Sequence, residues 1–122
     1  MKAFIAAMIL FAALVGVAFF SSCKLTSMAN ALAKEAEELS EVADEQRKEA
    51  SRAVAKRWEE SRFLFSLTIN HNEIDALEST LARLSTTANI EDGDDFLIAA
   101  AELTAALTHI RDLCAVSIDN IL

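Results

Sequence analysis

The apolar positions of this chain change their rhythm four times, and each change marks an element. From Ala3 to Phe20 there is no rhythm, because every position is apolar or glycine: AFIAAMILFAALVGVAFF. Eighteen such residues extend about 27 Å as a helix, close to the roughly 30 Å of a bilayer's hydrocarbon core. From Leu25 a period of three and four sets in: Leu25, Met28, Leu32, Leu39 and Val42, with Glu35 interrupting. That period places them on one helix face. The stretch 43–57 is rich in Ala, Glu, Lys and Arg, which favour helix, with a thin seam of Ala50, Val54 and Trp58. Asp44 is a candidate cap for a new helix. Two architectures follow: one long first helix with three helices beyond the apolar stretch, or a turn at 43–45 and four.

Phe63, Phe65, Leu67 and Ile69 alternate, which taken alone suggests a strand. No second strand exists to pair with it, so this run reads as a helix end buried on most sides. Asn70-His71-Asn72 reads as a turn, with Asn72 as N-cap and Glu73 and Asp75 facing the positive end of the next helix dipole. That helix carries Ile74, Leu77, Leu81 and Leu84. The acidic stretch 91–95 makes the next turn. The last helix has the cleanest register: Phe96, Ala100, Leu103, Leu107, Ile110, Cys114, Ser117 and Ile121 alternate steps of four and three. The expected fold class is therefore all-α, an N-terminal transmembrane helix followed by a small antiparallel bundle of three or four helices.

Composition supports helices and narrows the partners. Proline is absent and glycine occurs only at 16 and 93, which leaves little with which to build β-turns. Lys2 is the only charged residue before Lys24, so the −8 of the whole chain becomes −9 for residues 24–122. A field of that sign repels nucleic acid, and nucleic-acid binding is set aside.

The domain reading is a membrane anchor over 1–23 and an extracytoplasmic helical bundle over 24–122. The apolar core exceeds the usual 7–15 residues of a cleaved signal, which favours a retained anchor. A secreted form cut near Ala29-Asn30-Ala31 is one alternative. A lipoprotein is another, since Phe20-Ser21-Ser22-Cys23 loosely resembles a lipobox and makes Cys23 the candidate lipidation site. Basic residues nearly tie across the apolar run, and the short tail before it points to a cytoplasmic N-terminus. Ala12 and Gly16 form a small-x-x-x-small pair that would let two copies pack as a homo-oligomer.

Trp58 with the aromatic run after it, His71-Asn72-Glu73-Ile74-Asp75, Leu81-Ala82-Arg83-Leu84 and the closing Asn120-Ile121-Leu122 resemble an uncharacterised bacterial family of small single-pass membrane proteins, a domain of unknown function. The resemblance covers nearly the whole chain and is sharpest over 58–84. It implies a membrane helix with a helical body and favours the turn near Asp44. It brings no activity, cofactor or site residue.

Candidate chemistry is sparse. Trp58, Phe65, His71, Glu73 and Asp75 are the candidate ligand or partner cluster, with His71 expected to pack near Trp58 or Phe65. One His and two acids on a single helix start fall short of the three or four converging ligands of a metal site. The 91–95 acids lack the alternating spacing of a calcium loop. His109 and Cys114 lie about 140° apart on a helix, so they form no nucleophile–base pair. Cys114 falls on the seam as a small core residue. It can approach Cys23 only if a fourth helix returns to the apolar end. No cofactor and no catalytic set is expected. The function expected is a membrane-anchored interaction or structural module that meets another envelope protein. A sensory or small-ligand-binding ectodomain working through a membrane partner is the alternative.

Overall fold

The computed structural model describes the backbone of residues 1–121, and the side-chain surroundings of these except 18, 19, 21, 22 and 117–121. Four α-helices run in sequence: α1 (Lys2–Glu38), α2 (Arg47–Ser66), α3 (His71–Asn89) and α4 (Gly93–Ile121). Two short 3-10 turns, Leu39–Glu41 and Asp44–Gln46, join α1 to α2. Of the two architectures the chain allows, it takes the one with a turn near Asp44. No strand occurs among the described residues.

The N-terminal transmembrane helix is a corrected expectation. Among the described residues, no helix is long and apolar enough to cross a membrane. The apolar run from Ala3 to Phe20 lies inside α1, a helix of 37 residues. It is not a separate element. α1 runs unbroken from it into the bundle, where Leu25, Ala29, Leu32, Ala36 and Leu39 are buried. The first half of α1 therefore projects from the bundle as an arm, and its second half is a bundle helix.

Cross-helix contacts give the topology. Arg57 Nη1 lies 3.1 Å from Glu35 Oε2, tying α2 to α1. Arg83 pairs with Glu102 between α3 and α4. Arg111 Nη1 donates to Asn30 Oδ1 at 3.1 Å, tying the end of α4 back to the lower part of α1. The four helices thus run up, down, up and down. The 39–46 and 90–92 turns lie at one end, here called the apex. The 67–70 turn and the end of α4 lie at the other end, where the arm departs.

The seams of α3 and α4 fall where the spacing places them. Ile74, Leu77, Leu81 and Leu84 are buried, as are Phe96, Ala100, Leu103, Leu107, Ile110 and Cys114. Ser117 and Ile121 lie outside the described side chains. On α2 the buried face is wider than its apolar residues: Ser51, Val54, Trp58, Ser61 and Phe65, again at steps of three and four. The two serines sit inside because their hydroxyls are satisfied within the helix. Ser51 Oγ donates to Lys48 O and Ser61 Oγ to Arg57 O, both at 2.9 Å.

The run 63–69 is corrected. Phe65 and Ile69 are buried, four apart, while Phe63 is 71% exposed and Leu67 68%. Helical backbone sends alternate residues to different faces, so an alternating pattern on a helix cannot all point inward. The start of α3 is also corrected. Asn70, not Asn72, is the N-cap, its Oδ1 accepting the Asn72 N–H at 2.9 Å.

α3 ends without glycine. Asp92 N–H donates to Thr87 O at 3.0 Å, closing a six-residue loop through Glu91, which has φ 58°. A side chain in that left-handed conformation costs about 1–2 kcal/mol. Glu91→Gly is therefore expected to stabilise the fold by about 0.5–1 kcal/mol after the greater freedom of unfolded glycine is deducted. A urea midpoint that stays put or falls would contradict this. Asp92 next caps α4, its Oδ1 accepting the Asp95 N–H at 3.2 Å. A hydrogen bond between the Asp95 and Asp92 side chains, together with the Asp92 negative charge, holds the Asp95 carboxyl above its ordinary range.

Candidate functional site

The five residues of the candidate cluster separate into a buried pair and a surface set. Trp58 and Phe65 stand two turns apart on α2 and stack with ring centroids 5.3 Å apart and planes at 18°. Both are in the core, Phe65 fully so. Both pack into the bundle core and only Trp58 reaches the wall of a surface groove, which counts against a ligand site built on the pair. His71 does not pack on them. Its side chain is 75% exposed, and Nε2 lies 3.5 Å from Asp75 Oδ2, one turn on. Glu73 faces α4 instead, with Oε2 3.3 Å from His109 Nε2. These contacts lie open to water and link neighbouring turns or helices. Among the described residues, no group of three or more His, Cys, Asp or Glu converges as a metal site.

The residue that organises the polar side of Trp58 is Glu78. Its Oε2 accepts from Trp58 Nε1 at 3.2 Å and from Arg62 Nε at 2.6 Å. The Arg62 hydrogen bond holds the Glu78 carboxyl below its ordinary range, against partial burial that acts the other way. The same partner raises Arg62. Trp58 and Arg62 are one turn apart on α2, and Glu78 comes from α3. Only the packing of the two helices brings them together, so nothing local in the sequence marks the trio. A shallow groove of about 610 Å³ runs along this trio, with Ala55, Leu81 and Ser85 on its walls.

A second hollow of about 400 Å³ lies at the apex, among Asp44, Arg47, Thr87, Glu91, Asp92 and Phe96. The Arg47 guanidinium stacks over the Phe96 ring, its carbon 5.0 Å from the centroid, and Nη2 lies 3.1 Å from Asp44 Oδ1. Gly93 makes room for it, since a Cβ there would come within 3.0 Å of Arg47 Nη1. An anion entering to meet Arg47 would also meet four carboxylates, Asp44, Glu45, Glu91 and Asp92, so the hollow favours no anionic ligand.

The cysteines lie at the arm end of the bundle, unpaired. Cys23 is exposed and Cys114 is buried, and burial pushes the Cys114 thiol up. A thiol held neutral and covered reacts slowly. Under native conditions a thiol reagent is expected to modify Cys23 promptly and Cys114 only on unfolding, as mass spectrometry of the time course will read. Prompt double modification would mean that the α1–α4 seam opens.

The most unusual surface is the arm. Phe4, Ile9, Leu10, Phe11, Leu14 and Val17 are each more than 60% exposed. A Cβ at Gly16 would meet nothing within 4 Å, so the small-residue face with Ala12 is open.

Residues 19–121 match a family described as a domain of unknown function, DUF4363. The chain belongs to that family. The match spans the whole bundle and the last part of the arm, in keeping with the resemblance carried by Trp58, the His71–Asp75 segment and the Leu81–Leu84 segment. Among curated proteins none matches the chain, and none matches among solved structures.

Proposed function

We propose that this chain is a helical interaction module of the bacterial envelope. Its arm rests in membrane lipid, and its acidic bundle is offered outside the cytoplasm to another envelope protein. The observation that carries the reading is the exposed arm. A helix that is apolar on every side is stable only in apolar surroundings. Each large side chain taken out of water contributes about 1.5–3 kcal/mol. The packed Trp58–Phe65 pair supports a role through surfaces rather than through an internal ligand.

Flotation of the full chain with phosphatidylcholine vesicles tests the lipid half. The chain is expected to rise with the vesicles, and the double variant Phe11→Glu/Leu14→Glu to stay below. A wild-type chain that stays below would overturn it. Crosslinking from the bundle surface in native membranes tests the partner half. Recovery of lipid and solvent adducts alone would overturn that half.

A further inference from the structure

Beyond the arm, the bundle itself has a polar axis. At the apex the turn from α1 to α2 carries Glu37, Glu38, Glu41, Asp44 and Glu45, and the turn from α3 to α4 carries Glu91, Asp92, Asp94 and Asp95. The arm end is different. The exposed positions of α2 are mostly charged along its length, at Arg52, Lys56, Glu59 and Glu60, and its last turn and C-cap then expose Phe63, Leu64 and Leu67 beside the small polar Ser66 and Thr68. α1 makes the same change at the same height. Above Lys24 its exposed positions are mostly polar, at Ser27, Asn30, Lys34, Glu37 and Glu38 with Ala31 among them, and below Cys23 the described ones are apolar from Phe20 onward.

That the heights agree follows from the contacts. α1 and α2 are antiparallel, with Glu35 level with Arg57 and Met28 level with Ser61. Six residues beyond Ser61, Leu67 therefore lies level with the Cys23–Lys24 region of α1. The far end of α4 reaches the same level, since Arg111 meets Asn30, and five residues on, Val116 is 52% exposed. Three helices thus expose apolar side chains within about two helical turns of one another, on the side from which the arm departs. Ile90 and Ile98 are also exposed, at the apex, but they stand among the carboxylates that surround both turns.

We infer that the arm end of the bundle, Phe63, Leu64 and Leu67 with Phe20, is a seat that rests on a lipid surface. This rests on the reading that the arm lies in lipid, and it extends that contact from the arm to the folded body. The change from charged to apolar at a common level on separate helices is the pattern a water–lipid boundary selects. A groove in a protein partner requires no common level. The charge distribution points the same way. The carboxylates are concentrated at the opposite end, where repulsion from anionic headgroups is weakest. Lys24 stands at the boundary and can reach the headgroups with its stem in the apolar layer.

The test uses the full chain with Cys23→Ser, in which buried Cys114 stays unlabelled. Single cysteines at Leu10, Phe63, Leu67 and Glu45 carry an environment-sensitive fluorophore, with phosphatidylcholine vesicles containing brominated lipid. The labels at 10, 63 and 67 are expected to shift to the blue and lose most of their emission, while the label at 45 stays unchanged. Separately, Phe63→Ser and Leu67→Ser are each expected to weaken vesicle partitioning about tenfold. Quenching at 10 but not at 63 and 67 would overturn the seat and leave the arm in lipid. No quenching at any position would overturn the arm reading and the seat with it. Shielding at 63 without vesicles that grows with protein concentration would assign the surface to a second copy and overturn the lipid seat. Phe63 and Leu67 are exposed, so their serine variants are expected to keep the wild-type unfolding midpoint, and a large drop would show that these residues are core.

Discussion

Phe65→Ala is expected to destabilise the fold by about 3–5 kcal/mol, while Phe63→Ala, two residues away, changes it by no more than about 0.5 kcal/mol. Phe65 is fully buried and stacked on Trp58, so truncation removes a large apolar surface and leaves a cavity at the joint of α2 with its neighbours. Phe63 is mostly in water and leaves nothing behind. Against a typical domain stability of about 5–15 kcal/mol, the first loss is a fifth or more of the total. Chemical denaturation of both variants measures the contrast. Equal losses would mean that the 63–69 stretch packs on both faces, as a buried helix end would.

The second large effect is expected at Glu78. Glu78→Ala removes the acceptor for Trp58 Nε1 and the partner of Arg62 together, and an indole N–H left buried without a partner costs about 1–3 kcal/mol. The carboxylate also gives stability a pH dependence. Its folded pKa lies below its ordinary value of about 4.5, so its contribution is present above pH 4.5 and is lost as pH falls through the lowered folded value. Glu78→Gln keeps an acceptor for Trp58 and does not titrate. Below pH 4.5 the wild-type urea midpoint should therefore fall more steeply than that of Glu78→Gln. Parallel curves would sink the assignment.

The legible parts of the fold are those in which a residue's fate depends on its own helix. The steps of three and four in α3 and α4 mark their buried faces without reference to any other element, because burial on one side of a helix imposes that period. The candidate cluster was legible only as a set of residue types. Trp58 and Phe65 lie on one helix and stack, as their seven-residue separation permits. His71 was misplaced because α3 begins two residues earlier than its expected cap at Asn72, which puts His71 in the first turn of the helix and not in the turn before it. With Asn70 as the cap, His71 is the first residue of α3 and faces water. Ser51 and Ser61 were invisible as core positions, since hydroxyls satisfied by their own helix carry no apolar signal.

By itself, the sequence determined that the chain is helical, where most turns fall and which faces of α3 and α4 are apolar. These follow from local backbone preference and hydrophobic period. It also marked the apolar run from Ala3 to Phe20, whose described part the fold makes the arm of a bundle helix instead of a membrane-crossing element. Only the tertiary structure decided that four helices pack up and down, and that Glu78 closes the polar side of Trp58. It also decided that Phe63 and Leu67 come level with the base of the arm. Each of these joins residues far apart in sequence. Such joins are fixed by the packing of one helix surface against another, which no single stretch of chain records.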